Sequence, residues 1–467
     1  MRSQGTEGEA GPTRGVGAAR SGLARATGAL EEQAVTRLGR LGYSPPRLAE
    51  VERELLWWAW ARAGAAASRR PLLRGWGLAW GSAGYVEAVP AEVPAAGEGQ
   101  VTLRVEASAI SPGTERAQYL HLPNTAVGIL GRPGYSGAGR VIRVGTGVEG
   151  LSPGDRAAIT GAPHASLATV PASSAYPVPA GVPLEAAALV QLGIIAGHGV
   201  ASAGLVAGQP FCVVGAGLVG ALALRLGAAM GGEPAAVVAR SRAKEAAARA
   251  GGAGSFLVAG PDDGAIAGLR APVVIEATGD PAGIPVAMAA AGPGGRVVLL
   301  GSPRGVTPDL DLRLMRERRL EIVGAHVDTI EAVEAREAAG PVGEAGGRAA
   351  GDAGKRAAGE EGAAPPGGGA RRRLGEAFLA ALASGLEVAD LVGESVDPRE
   401  AALFYRRLAV DPAIVGAHLD WSCLPPAERA RPGHLLRVPD VGARGVTPDH
   451  RPLRPRAGPS RPGLRAP

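Results

Sequence analysis

Apolar and polar positions along the chain change period three times. Between residues 75 and 182 they alternate in short runs separated by glycine or proline: QVTLRVEAS, GAGRVIRVG, GDRAAI and ASLATV. Alternation with turn residues at regular spacing predicts a small β-barrel or sandwich. From residue 183 to 330 apolar strands such as PFCVV, PAAVV, VVIE and RVVLL alternate with helical stretches, which predicts a parallel sheet covered by helices. A third helical pattern, LGEAFLAALASG, opens residues 374–422, which end in the apolar IVGAHLDW.

The remaining stretches read differently. Residues 1–45 are rich in Gly, Ala and Arg without an apolar face, and are expected to be disordered or to result from a start codon placed too far upstream. Residues 46–74 contain RLAEVERELLWWAWARAG, a Trp-rich helical segment expected to dock on an apolar surface of its own domain or of a second subunit. Residues 331–373 are low-complexity Gly, Ala and charge, expected as a disordered insertion, and residues 423–467 as a disordered tail.

Composition narrows the function classes. The 467 residues carry a net charge of +5, but lysine occurs only at Lys244 and Lys355 and asparagine only at Asn124. That skew reflects GC-rich coding, so the charge is no argument for nucleic acid, and no basic run interleaved with aromatics supports such a partner. Two cysteines, Cys212 and Cys423, exclude a disulfide framework and fit a reducing cytoplasm. Neither a signal peptide nor a membrane partner is expected.

The sharpest motif is PFCVVGAGLVGALALRLGAAMG. A strand runs into Gly215-x-Gly217-x-x-Gly220 and then into a helix, the arrangement that binds a dinucleotide pyrophosphate on the turn and helix N-terminus. Leu218 and Val219 complete that turn. The next strand ends Ala239-Arg240-Ser241-Arg242 without a carboxylate before Glu245. An acidic residue there would serve the ribose of NAD, whereas two guanidiniums and a hydroxyl suit a 2′-phosphate. NADP(H) is therefore expected in preference to NAD(H). In open sheets ligands sit at the carboxyl ends of strands, so Thr278 and Gly301 are expected to face the cofactor.

Together, ASAISPGTE (107–115), PGYSGAGRVIRVGTGVEGLSPGDRAAI (133–159), the glycine turn, EATG and HLDW resemble the medium-chain dehydrogenase/reductase superfamily. The ISPGTE stretch is most similar to its zinc-type alcohol, threonine, sorbitol and bacteriochlorophyllide dehydrogenase branch. The resemblance implies an α/β chain: a GroES-like β-barrel-type catalytic domain, completed by a C-terminal segment, plus a Rossmann doubly wound parallel sheet. It further implies hydride transfer between a nicotinamide and a small-molecule substrate, and makes a homodimer an expectation.

Zinc-dependent members carry metal ligands where this chain has Ser111, Tyr135, Ser136 and Leu192. Hydroxyls and a leucine do not make a zinc site, so no zinc is expected. Tyr135 and Ser111, with Thr114, Glu115 and Ser136 behind them, are the candidates for stabilising charge and donating a proton. A tyrosine between glycines serves equally well as a packing residue. An alcohol/carbonyl substrate, an activated double bond as in quinone or enone reductases, and a non-catalytic nucleotide-binding sensor or scaffold all stay open.

Overall fold

The computed structural model describes residues 70–80, 86–120, 122, 123, 125, 132–307, 310–331 and 369–424. The expected N-terminal extension, most of the Trp-rich segment, nearly all of the insertion and the tail lie outside these residues. Arg70–Trp80 overlap the end of the Trp-rich segment, and there the chain is extended: β1 (Leu72–Trp80) pairs antiparallel with β2 (Val86–Pro94). Every second residue of this hairpin being small (Gly75, Gly77, Ala79) masked the strand pattern in the sequence.

The alternating region follows as β3 (Gln100–Ile110), α1 (Pro112–Tyr119), β4 (Ser136–Val144), β5 (Arg156–Thr160), β6 (Leu167–Pro171) and β7 (Ala175–Pro177). Strands β3, β4, β5 and β7 join antiparallel in that order, and β6 pairs with β3. Buried residues of their inner faces, among them Val101, Leu103, Val141 and Ile159, form one core with Leu78 and Val86 of the hairpin. The hairpin closes against β6 through a bridge between Gly77 and Ala165.

After α2 (Leu184–Ala187) and α3 (Val190–Ala203), the chain alternates β8 (Pro210–Val214), α4 (Leu218–Ala229), β9 (Glu233–Ala239), α5 (Glu245–Ala250), β10 (Ser255–Val258), α6 (Asp263–Gly268), β11 (Ala271–Glu276), α7 (Gly283–Ala290), β12 (Ala291–Leu299), α8 (Leu312–Arg318) and β13 (Glu321–Gly324). The six strands form a wholly parallel sheet in the order β10-β9-β8-β11-β12-β13. The order reverses between β8 and β11, the switch point at which such sheets take ligands. Near-continuous runs such as Phe211–Val214 and Val273–Ile275 are buried because helices cover both faces.

The C-terminal part returns to the barrel. Helix α9 (Ala370–Ala383) starts four residues before the LGEAFLAALASG pattern and packs Phe378 against α3 at Gly193. Then come α10 (Ala389–Val392), β14 (Glu394–Val396), α11 (Ala401–Val410) and β15 (Ala417–Asp420). Strand β15 lies antiparallel to β3, with Ala417 opposite Ile110, so residues about 300 positions apart share one sheet. Among the described residues no helix is long and apolar enough to cross a membrane.

Candidate active site

The glycine turn at the end of β8 is sterically specified. Gly215 has φ +111°, and a Cβ there would lie 2.8 Å from the carbonyl carbon of Ala277 and from the nitrogen of Thr278. A Cβ on Gly220 would sit 1.9 Å from the Gly215 carbonyl oxygen, so α4 can approach β8 only with glycine at this position. Gly217, the N-cap of α4, has nothing within 4 Å of its missing side chain. That open face and the free N–H groups of the helix end suit a pyrophosphate.

A cleft of about 1130 Å³ runs from this turn to the barrel. Gly215, Gly217, Leu218, Val219, Arg240, Ser241, Thr278 and Gly301 line it, whereas Gly220 is not among its lining residues. Arg242 is not among its lining residues; its guanidinium pairs with Glu245 at 2.8 Å on the exposed side of α5. Lys244, which the sequence reading passed over, lines the cleft instead. Burial depresses its ammonium pKa, Arg240 and Arg116 depress it further, and Asp411 opposes them. Arg240 itself is paired with Asp280 at 3.0 Å. A cation-rich corner of this kind favours an anionic group.

Beneath the carboxyl end of β11, Glu276 is buried and its pKa is raised by desolvation. Its carboxylate accepts the Thr278 hydroxyl and, at 2.7 Å, the Thr278 N–H, which fixes the EATG loop against the cofactor side of the cleft.

Ser111, Thr114 and Tyr135 line the same cleft. Ser111 is the N-cap of α1, yet its hydroxyl caps no backbone N–H and is engaged with the Tyr135 hydroxyl, which also meets Thr114. Burial pushes the Tyr135 hydroxyl up to about 12; the bond to Ser111 opposes that, the Glu115 charge adds to it, and Thr114 and Arg304 oppose it again. Arg304, from the loop after β12, lines the cleft beside Tyr135. No sequence motif pointed to it, since a lone arginine in an arginine-rich chain carries no signal.

The other candidates face away. Ser136 is buried, donates its hydroxyl to the Ala188 carbonyl at 2.6 Å and accepts the Gln191 N–H at 3.1 Å, so it pins β4 to the start of α3. Glu115 is fully buried behind Ser111 and does not line the cleft. It accepts the Ser111 N–H at 2.7 Å from one turn further along α1, which satisfies the N-cap backbone donor. Leu192 is fully buried in α3. Among the described residues no group of three His, Cys, Asp or Glu side chains converges as metal ligands. The donor set at the zinc-type position, two hydroxyls, a phenol held protonated and a leucine, does not fit a zinc ion.

No protein-family model matches the chain. Over 280 residues, 51% of this chain and 78% of the relative, it is 30% identical to an L-threonine 3-dehydrogenase of Thermococcus kodakarensis. Its fold matches galactitol-1-phosphate dehydrogenase of Escherichia coli, with TM-score 0.59 and 17% identity over 74% of this chain and 99% of that one. An alcohol dehydrogenase of Pyrobaculum aerophilum superposes at TM-score 0.56 with 22% identity, and a Sinorhizobium meliloti protein bound to NADP at 0.57 with 19% identity; each alignment covers 74% of this chain and 99% of the other. With a GroES-like barrel and a Rossmann sheet meeting at one cleft, the chain belongs to the medium-chain dehydrogenase/reductase superfamily and is an oxidoreductase of that superfamily.

Proposed function

We propose that the protein is a zinc-independent, NADP(H)-dependent oxidoreductase that interconverts a small alcohol and its carbonyl compound in the cytoplasm. The observation that carries this reading is one cleft lined both by the glycine turn and by a protonated Tyr135 clustered with Ser111 and Thr114. Gly215, Gly217, Leu218 and Val219 would hold the dinucleotide phosphates, with Gly220 letting α4 close on β8 behind them, and Thr278 and Gly301 would face its nicotinamide half. Arg240, Ser241 and Lys244 would hold the 2′-phosphate, with Arg242 able to join only by leaving Glu245. When bound, the dinucleotide supplies or accepts the hydride.

The chain's own part is to stabilise the oxygen that gains charge as hydride reaches carbon. A phenol with its pKa near 12 keeps its proton at neutral pH, so Tyr135 acts as a hydrogen-bond donor and not as a base. Ser111 and Thr114 orient it, and the Arg304 cation adds favourable charge. Glu115 and Ser136 act behind these groups, through Ser111 and through the packing of β4 on α3. Without thiolate, imidazole or carboxylate ligands, no step passes through zinc.

The test is NADPH oxidation by purified protein with a panel of small aldehydes, ketones, quinones and enones. Turnover with carbonyl compounds, insensitive to a zinc chelator, supports the proposal. Turnover with enones or quinones alone replaces it by double-bond reduction. Silence toward the whole panel, with NADPH still bound, points to a nucleotide sensor.

A further inference from the structure

Behind the three cleft hydroxyls lies a buried polar network that the proposed chemistry does not use directly. Glu115 Oε2 meets His164 Nε2 at 3.1 Å and accepts the Tyr405 hydroxyl, while its Oε1 accepts the Ser111 N–H. His164 Nδ1 lies 2.8 Å from Ser108 Oγ, which accepts the Trp421 indole N–H at 2.8 Å. Glu115, His164 and Tyr405 are all fully buried. With the imidazole proton on Nε2, every donor finds an acceptor: Nε2–H points to the carboxylate and the Ser108 hydroxyl points to Nδ1. Buried networks satisfied in this way specify a single arrangement.

The network grips both sides of the Tyr135–Ser111 contact. On one side Glu115 holds the backbone of Ser111 at the start of α1. On the other, the His164 backbone N–H donates to the Pro133 carbonyl at 2.7 Å, and the imidazole packs so closely on Gly134 that a Cβ there would lie 2.5 Å from the ring. Gly134, at φ +92°, leads directly into Tyr135. Tyr405 on α11 and Trp421 just after β15 tie in the C-terminal segment, whose Leu408, Val410 and Ile414 line the cleft.

We infer that Glu115, His164 and Tyr405 are positioning residues that set the Tyr135 hydroxyl against Ser111 and Thr114 and couple that placement to the C-terminal wall of the cleft. The inference deepens the proposed function and rests on it for its kinetic arm alone. A misplacement of about 1 Å can cost about a hundredfold in rate, so a network that fixes the Ser111 backbone and the Gly134–Tyr135 turn sets turnover through placement.

The test uses the full chain grown with fluorotyrosine. Its six tyrosines give fluorine resonances, and Tyr135→Phe identifies that of Tyr135. Tyr405→Phe and Glu115→Ala are expected to move the Tyr135 resonance and to lower kcat about tenfold, with the NADPH dissociation constant within about twofold of wild type. A lowered melting temperature with the Tyr135 resonance and kcat both unmoved would overturn the inference, since the network would then be structural only. A moved resonance with unchanged kcat overturns it as well. If Glu115→Ala does not fold, Tyr405→Phe, which removes a single donor, decides alone. If the wild-type protein reduces nothing in the panel, the proposed function fails, while the resonance still decides whether these residues place Tyr135.

Discussion

Removing one oxygen atom, in Tyr135→Phe, should separate catalysis from binding. The Tyr135 ring packs against the large core shared by the sheet and α3, and phenylalanine keeps that contact. Lost are the hydroxyl's bonds to Ser111 and Thr114, each worth about 1 kcal/mol net, and partly regained is the cost of burying a polar group. Stability should therefore change by no more than about 1–2 kcal/mol. Catalysis should change far more. Loss of one donor aimed at a developing oxyanion costs about 2.7–4 kcal/mol, a fall in kcat of about a hundredfold to a thousandfold. NADPH affinity should stay within about twofold, because Tyr135 is not part of the glycine turn or of the Arg240–Lys244 stretch proposed to hold the phosphates. Steady-state NADPH oxidation and a fluorescence titration of the same variant read both quantities. Unchanged kcat would remove Tyr135 from the mechanism and leave it a packing residue.

Three further outcomes follow from the same geometry. Arg240→Ala and Lys244→Ala should each weaken NADPH binding about tenfold and leave NADH within about twofold, as charge-assisted bonds to a 2′-phosphate require; equal losses for both nucleotides would assign these cations another role. Gly220→Ala places a Cβ 1.9 Å from the Gly215 carbonyl, and should lower stability by about 1–3 kcal/mol and abolish nucleotide binding, read by melting temperature with and without NADPH. The folded-state pKa of Tyr135, about 12, exceeds the ordinary value of 10.0, so the folded protein holds this proton more tightly. Its contribution is full below pH 10 and is lost as pH rises toward 12, by at most about 2.7 kcal/mol, and Tyr135→Phe should flatten the decline in melting temperature across that window.

Local signals carried most of the legible fold. The 2-residue period of β3–β6 and the apolar strands of the parallel sheet are properties of a few neighbouring residues, and the glycine turn announces its own geometry. What stayed hidden depends on distant partners. His164 carries no local signal because Glu115 lies 49 positions away, and Tyr405 is 290 positions from that carboxylate. Ser136 was a candidate because it stands where zinc-dependent members carry a metal ligand, but its hydroxyl is spent on the Ala188 carbonyl, a partner 52 positions away that no local pattern shows. Of the two arginines after β9, only Arg240 lines the cleft: the 3₁₀ turn there sends Arg242 outward to Glu245 and brings Lys244 to the cleft, a placement set by the turn and not by residue type. The β1–β2 hairpin was missed because the positions that alternate with its core residues Trp76 and Leu78 are Gly75, Gly77 and Ala79, not polar residues, which leaves little apolar–polar alternation to detect.

The central claim is that a nicotinamide dinucleotide with a 2′-phosphate binds here without zinc. Titrating the purified protein with NADPH and with NADH by cofactor fluorescence, with the metal content of the same sample determined, tests it most directly. Tight NADPH binding, NADH at least about tenfold weaker and no stoichiometric metal is the expected result. Equal binding of the two nucleotides, binding of neither, or one equivalent of tightly held zinc would contradict it.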